Sequence, residues 1–366
     1  MMAILQSKRD YFYQIKQLII NMLENITQSF EALCRVAEEQ QSLKPIENAI
    51  RFMDQYYDCI QFVKQDYITK EIHFREKLQS KFSKHSSDIN HISVYQDEVL
   101  SCGQDVYLYK QNKQYLIKQN NLPIYSGIIL TDGKVLLGGE EKVVHVYKLI
   151  NNQYIEDTQL RGFSRAITSI VKSQNEDYIG VSCLDGKIAL YQTQNLIKLG
   201  VWINDLGSAY SLSFSIDNQF IASGNKNGIA IWEIKKNNQI NSAELIQSFI
   251  TTKKIRSIAF SRKQKFLAAS HKNEILLYHY YIDDFKIYQK LHHHNEIVNC
   301  VSFGTDILIS GSDDATLCLW SSSIKGYWIC YQIIQMNCCI NSIALNTKQT
   351  DLYFDCFDTV IHYQSI

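Results

Sequence analysis

Several things are scarce or missing in this chain, and each absence excludes something. Neither sign of charge is in excess, with 37 Lys and Arg against 37 Asp and Glu. No net field therefore favours nucleic acid or an anionic membrane. No apolar run approaches the roughly 18 residues of a membrane-spanning helix. The opening M-M-A-I-L-Q-S-K-R-D carries charge too early, and lacks the long apolar core, for a secretory signal. Phosphate-cradling glycine loops, serine-nucleophile elbows and zinc-protease helices are all missing, so no enzyme is expected. Only 2 prolines occur in 366 residues, in a composition rich in Asn, Gln, Lys, Ile and Tyr that reflects AT-rich coding more than structural demand. These features predict a soluble cytoplasmic protein, with the nucleus left open, and no membrane contact.

Glycine is absent from the first 85 residues. In its place runs a stripe of Ile15, Ile19, Met22, Ile26, Phe30, Leu33 and Ala37, at the three-and-four spacing of an amphipathic helix. Pro45, suited to a helix's first turn, opens a second stripe: Ile46, Ile50, Met53, Tyr57, Ile60, Val63 and Tyr67. Residues 1–74 are thus expected to form a helical arm. It is either a hairpin packed on the rest of the chain or a coiled-coil element through which the protein forms homo-oligomers. With 12 basic and 11 acidic residues through position 85, its charge points to no partner.

Beyond residue 85 the pattern changes to period two, with Gly and Asp turns between short runs. A strand ending in an aromatic recurs as V-Y-L-Y109, V-H-V-Y147, I-A-L-Y191, I-A-I-W232, I-L-L-Y278, T-L-C-L-W320 and V-I-H-Y363. The intervals are 38, 44, 41, 46, 42 and 43 residues. A second marker, a strand ending in Gly or a small residue, precedes each of the first six. A third marker comes earlier still, an apolar strand ending at Val94, Leu130, Lys172, Phe214, Phe260, Phe303 and Leu345. Two markers in register seven times and a third six times, with four strands per unit, predict a mainly β fold: a seven-bladed β-propeller.

One copy is more complete than the others. The stretch 294–320 opens on His294, passes Ser310 and the Asp313-Asp314 turn, and ends on Trp320. It resembles the WD-repeat family, which places a four-residue hydrogen-bond network at the positions of His294, Ser310, Asp314 and Trp320. The resemblance implies that this tetrad is structural. Elsewhere the network erodes: Asp185 persists in the third repeat, and Tyr replaces Trp in most.

The propeller is assigned to residues 75–366. Its last repeat stops directly after a third strand, so 75–87, centred on Lys77–Ser83, is expected to cross over and supply the missing outer strand. That would remove an exposed sheet edge.

Candidate chemistry is sparse. Ten cysteines are scattered without metal-ligand spacing and read as small hydrophobes in strands, Cys102, Cys183, Cys300 and Cys318 among them. The best metal set on paper joins His292 and His294 to Cys338 and Cys339. Adjacent strand residues face opposite ways, and His294 already has a structural role, so neither metal nor cofactor is expected. Asp313-Asp314 and Glu140-Glu141 read as solvated turn acids. The basic residues between Thr251 and Asn273 divide between opposite rims of the ring, Lys253, Lys254 and Arg256 against Arg262, Lys263 and Lys265. Nucleic acid is therefore not an expected partner.

Four residues before the end of each innermost strand stand Asn90, Ser126, Thr168, Tyr210, Arg256, Asn299 and Asn341. Each is polar in an otherwise apolar strand, and all should face one rim of the central channel. Either they are strand starts that meet solvent, or they form a recognition ring for a protein or peptide partner. In the second case Tyr210 and Arg256 are neighbouring anchors, since such residues dominate interface energetics. The expected function is a non-catalytic protein-interaction scaffold, binding on the propeller face and docking or oligomerising through the arm. The alternative, drawn from the resemblance alone, is a substrate receptor or scaffold subunit of a ubiquitin ligase or another regulatory complex.

Overall fold

Short apolar runs at period two favour extended backbone, and the Gly, Asn and Asp between them close tight turns, so the chain folds as successive antiparallel hairpins. The computed structural model describes residues 72–76, 82 and 85–365, apart from positions 112, 120, 237–240, 264, 323–325 and 347. The expected helical arm, 1–74, lies outside the described residues except at its end, where Phe74 already belongs to a strand.

A short leading strand, β1 (Phe74–Glu76), precedes the first blade. That blade comprises β2 (His91–Tyr95), β3 (Glu98–Cys102), β4 (Asp105–Lys110) and β5 (Lys113–Gln119). The second comprises β6 (Ile124–Ile129), β7 (Val135–Gly139), β8 (Val144–Ile150) and β9 (Gln153–Leu160). The third holds β10 (Ile167–Lys172), β11 (Tyr178–Cys183), β12 (Lys187–Gln192) and β13 (Lys198–Ile203). The fourth holds β14 (Ala209–Phe214), β15 (Phe220–Asn225), β16 (Gly228–Lys236) and β17 (Asn241–Ile250). In the fifth are β18 (Ile258–Phe260), β19 (Phe266–His271), β20 (Glu274–Tyr281) and β21 (Asp284–His292). In the sixth are β22 (Val298–Phe303), β23 (Ile307–Ser312), β24 (Thr316–Ser322) and β25 (Trp328–Gln335). The last takes β26 (Ile343–Leu345), β27 (Asp351–Cys356) and β28 (Thr359–Ser365). Each of the seven sheets has four antiparallel strands. Every innermost strand lies beside that of the next blade, and β26 beside β2, so the ring is closed.

Blade 7 takes its fourth strand from the other end of the chain. Phe74, Arg75 and Glu76 pair with Ser365, Gln364 and Tyr363. The pairing strand thus lies ahead of the stretch 77–83, of which only Phe82 is among the described residues. Gln332, on the outer strand of blade 6, holds β1 in place. Its amide oxygen accepts the Phe74 N–H at 3.2 Å, and its amide nitrogen donates to the Phe74 carbonyl at 2.9 Å. The Phe82 ring then packs edge-on against Tyr109 of blade 1 and Tyr353 of blade 7, at centroid distances of 4.7 and 6.0 Å.

The core lies between blades. One apolar cluster joins blades 1 and 2 through Leu100, Leu108, Ile129 and Leu137. Others join blades 2 and 3, 3 and 4, and 4 and 5 in the same way. The second strand of a blade is covered on both faces, and β7, β11, β15 and β23 are buried at every position. This explains the small residue that marks these strands. A β-carbon on Gly138, Gly224 or Gly311 would lie 2.5, 2.7 or 2.6 Å from the γ2 methyl of Ile167, Ile255 or Ile340. In each case the isoleucine belongs to the next blade and packs directly onto the glycine's backbone.

Candidate functional site: the polar rim of the channel

The rim is built from bulges. In blades 2, 3, 4 and 6 the inner strand slips by one residue against its neighbour, between Ile124 and Ser126, Ile167 and Ser169, Ala209 and Ser211, and Val298 and Cys300. The extra residues are Tyr125, Thr168, Tyr210 and Asn299. A bulge re-aims the side chain it carries, and these four line a cavity of about 240 Å³ at the axis of the ring. Arg256 and Asn341 occupy the same place just ahead of β18 and β26, and Asn90 just ahead of β2; all three line the cavity too.

All seven residues expected at the rim therefore line one cavity, with a correction in blade 2. Ser126 pairs opposite Gly138 as Ser211 does opposite Gly224, one step inward from the bulge. Tyr125 takes the position matching Thr168, Tyr210 and Asn299. Counting back from Leu130 misplaced this blade by one residue, because its inner strand ends at Ile129.

The inward position has its own role. Its hydroxyl accepts a backbone N–H from the next blade's inner strand. Ser126 takes Ile170 N–H (2.9 Å), Ser169 takes Leu212 (3.3 Å), and Ser211 takes Ile258 (3.1 Å). Ser257 takes Val301 (3.1 Å), and Ser342 takes Ile92 (2.8 Å) across the closure. Five of the seven blade junctions are clasped in this way. His91 and Cys300 stand at the other two, and burial pushes the His91 imidazole down to about 4.

Most of the rim residues are occupied with the propeller itself. Asn90 donates to the Ile124 carbonyl at 3.1 Å and Thr168 to the Ala209 carbonyl at 2.8 Å, each in the next blade. Tyr125 donates to Glu140 at 2.8 Å. Asn299 donates from Nδ2 to Asp313 at 2.6 Å and to the Ile340 carbonyl at 3.2 Å. Asn341 donates its backbone N–H and side-chain amide to the Asp355 carboxylate at 2.8 and 2.9 Å. That carboxylate is buried, which pushes it up to about 6 despite these hydrogen bonds.

Tyr210 and Arg256 differ. Arg256 donates through Nη1 to Asn299, while its buried Nε has no hydrogen-bond partner. The Lys254 ammonium lies over the Tyr210 ring, 5.5 Å from its centroid. Burial and then the neighbouring Arg256 lower the Lys254 pKa, with Asp313 opposing them. This sector thus concentrates positive charge at the mouth of the cavity, beside an aromatic face. Two of the basic residues assigned to the opposite rim are engaged within the propeller: Lys263 with Asp306 of blade 6 at 3.0 Å, and Arg262 with the Leu345 carbonyl of blade 7 at 3.4 Å.

The tetrad of blade 6 has the geometry its residue types imply. Trp320 Nε1 donates to Ser310 Oγ at 2.9 Å, and Ser310 shares a 2.8 Å hydrogen bond with His294 Nε2. His294 Nδ1 lies 3.1 Å from Asp314, which also accepts the Asn295 and Thr316 N–H groups at 2.9 and 3.0 Å. The Asp314 carboxylate can only accept, so the proton of a neutral His294 sits on Nδ1, and Nε2 accepts from the Ser310 hydroxyl. Burial holds this histidine below the usual range, against the pull of Asp314.

A second set was missed in the sequence. In blade 1, His85 Nδ1 lies 2.8 Å from Asp105 and Nε2 lies 2.7 Å from Ser101. Its histidine falls in the stretch assigned to the closing strand. Its aspartate starts β4 itself, because the β3–β4 turn is shorter than the β23–β24 turn. The spacing from Ser101 to Asp105 equals that from Ser310 to Asp314, and that signal was available.

The metal set considered on the sequence is not assembled. His294 belongs to the tetrad, and Cys339 is exposed. Cys338 is joined to Cys356 across 18 residues, with Cα atoms 5.6 Å apart. This departs from the reading of all ten cysteines as small hydrophobes, although Cys102, Cys183, Cys300 and Cys318 are buried as expected. The bridge could not be read from spacing, since the partners meet only once β26 and β27 pair.

Residues 285–321, spanning β21 to β24, match the family model "WD domain, G-beta repeat". No curated protein matches the chain in sequence. Among solved structures, the WD40 β-propeller domain of Doa1 is similar with a TM-score of 0.66 at 14% identity. The match covers 80% of this chain and 97% of that one, and at this identity it speaks for the fold. WD40 propellers are typically non-catalytic and generally mediate protein–protein interaction. The chain folds as a seven-bladed β-propeller, and one of its repeats, at 285–321, matches the WD-repeat family model.

Proposed function

We propose that this protein is a non-catalytic interaction module that takes a peptide or protein segment at the Tyr210–Arg256 sector of the channel rim. The observation that carries this reading is the contrast around the ring. Asn90, Tyr125, Thr168, Asn299 and Asn341 are hydrogen-bonded within the propeller, whereas Arg256 keeps a buried Nε without a partner. A buried, unpaired donor is costly. A carboxylate or backbone carbonyl from a partner would satisfy it, with Lys254 adding charge and Tyr210 a flat apolar face. The fitting partner is a segment with an acceptor, acidic or main-chain, at its centre. The arm at 1–74, with its one-sided apolar stripes, is proposed as the element that oligomerises or docks the module in a larger assembly.

Affinity purification with mass spectrometry of the full chain and of a Tyr210→Ala/Arg256→Ala variant tests the site. A partner recovered with the wild type should bind the double variant at least about tenfold more weakly, at an unchanged melting temperature. Equal binding would dispose of the site. The alternative reading as a ubiquitin-ligase subunit is tested in the same experiment, since other ligase subunits would be among the recovered proteins.

A further inference from the structure

Blade 6 carries a second cluster, which borders the tetrad where Cys318 Sγ lies 4.0 Å from His294 Nδ1. His293 stands between the end of β21 and the tetrad histidine, Cys318 lies on β24, and Cys330 lies on the neighbouring strand β25. Their ligand atoms, one imidazole nitrogen and two sulfurs, all fall within 4.8 Å of one another. We propose that His293, Cys318 and Cys330 form a three-ligand site for a thiophilic divalent cation, with Zn²⁺ as the reference ion.

Four observations support the site. The donor set, two thiols and an imidazole, is the mixture that zinc prefers, and three protein ligands leave the fourth tetrahedral position for water or a partner's side chain. Zinc–sulfur and zinc–nitrogen bonds of about 2.3 and 2.0 Å put tetrahedral ligand atoms roughly 3.5–4 Å apart, so the cluster has at most about 1.3 Å to close. The ligands that would have to move are the less enclosed ones: Cys318 is buried in the core, whereas Cys330 is half-buried and His293 exposed. The exposed histidine also leaves a path for the ion from solvent. The surroundings hold the ligands in place. The His293 ring stands edge-on to Trp320 at 6.3 Å, and the Thr316 hydroxyl lies 4.0 Å from Cys318 Sγ.

Binding would exchange protons and no electrons. Zn²⁺ replaces the two thiol protons, which leave to solvent, and takes the unprotonated nitrogen of His293 and one water. The ion would tie β24, β25 and the β21–β22 connection together on the one blade whose repeat still matches the family pattern.

The test is titration of the full-length chain, its Cys338–Cys356 bridge intact and Cys318 and Cys330 as free thiols, with Co²⁺ as a spectroscopic stand-in, followed by displacement with Zn²⁺. One equivalent of cobalt should bind with thiolate-to-cobalt charge-transfer absorption, and Zn²⁺ should abolish that absorption. Cys330→Ser should weaken binding by about 100-fold or more, beyond what loss of a supporting group costs. His293→Ala should weaken binding while leaving the charge-transfer band in place, and Cys339→Ser should change nothing. Because Cys330 and His293 lie toward the surface, the metal-free variants should melt as the wild type does, which keeps the test open even if Cys318→Ser fails to fold. The proposal is overturned if no thiolate band develops, if Cys330→Ser binds as the wild type does, or if non-reducing peptide mapping finds Cys318 joined to Cys330.

Discussion

The γ2 methyl of Ile340 sits where a β-carbon on Gly311 would have to be, 2.6 Å away, and Cys300 Sγ closes the same space at 2.8 Å. Blade 7 therefore docks on the bare backbone of blade 6, as blade 3 does on Gly138 and blade 5 on Gly224. The small residue that marks the second strand in the sequence is the point of contact between blades. Gly311→Ala should destabilise the protein by about 1–3 kcal/mol, the usual cost of overfilling a packed site, measured by urea unfolding. Wild-type stability in this variant would show that the blades can separate slightly at no cost.

The serine clasps predict a different kind of loss. Ser342→Ala removes the acceptor of the buried Ile92 N–H at the junction between the last blade and the first. The orphaned donor should cost roughly 1–3 kcal/mol. Hydrogen exchange should show the Ile92 amide opening faster, while amides in blade 4 keep their protection.

Acidification should weaken the two histidine networks. Burial holds the folded-state pKa of His294 and His85 below their ordinary value. Each contributes stability that is complete above the unfolded-state pKa of about 6.5 and is lost as pH falls through that value toward the folded one. Unfolding free energies compared at pH 7.5 and 5.5 should fall more in the wild type than in a His85→Gln/His294→Gln variant. An equal fall in both would mean that neither histidine titrates in this range.

Asp355 should act with the opposite sign. Its carboxyl is raised to about 6, so between the unfolded value near 4 and pH 6 the folded protein holds a proton that the unfolded chain has released. Its contribution is complete below the unfolded value and is lost as pH rises through 6, on the order of a few kcal/mol in all. Asp355→Asn should flatten this part of the stability profile. Because Asp355 positions Asn341 at the rim, partner binding should show a pH dependence near 6 that the variant lacks. A profile parallel to the wild type would remove Asp355 from consideration.

Closure of the ring by β1 places a boundary on truncation. A chain starting at residue 71 keeps Phe74–Glu76 and should unfold cooperatively. A chain starting at residue 86 loses β1, Phe82 and His85 together, and should be less soluble and melt lower. Calorimetry on the two chains decides this, and equal transitions would show that blade 7 does not depend on its fourth strand.

Much of the fold follows from local pattern. A strand of period two closed by a turn is determined by residues close in sequence, so the number of blades, the four strands in each, the small residue on the second strand and the blade 6 tetrad were legible in the sequence. The rim residues were legible for the same reason, except in blade 2. There the apolar run continues one residue past the strand's end at Ile129, and pattern alone does not mark where pairing stops, so Ser126 was placed where Tyr125 stands.

Tertiary structure decided what depends on parts of the chain distant in sequence. The strand that closes blade 7 is set by its pairing with residues near the other end of the chain. The Cys338–Cys356 bridge and the grouping of His293, Cys318 and Cys330 arise only after strands are paired. Spacing in sequence carries their residue types but not their distances, and chemistry between side chains is governed by distance.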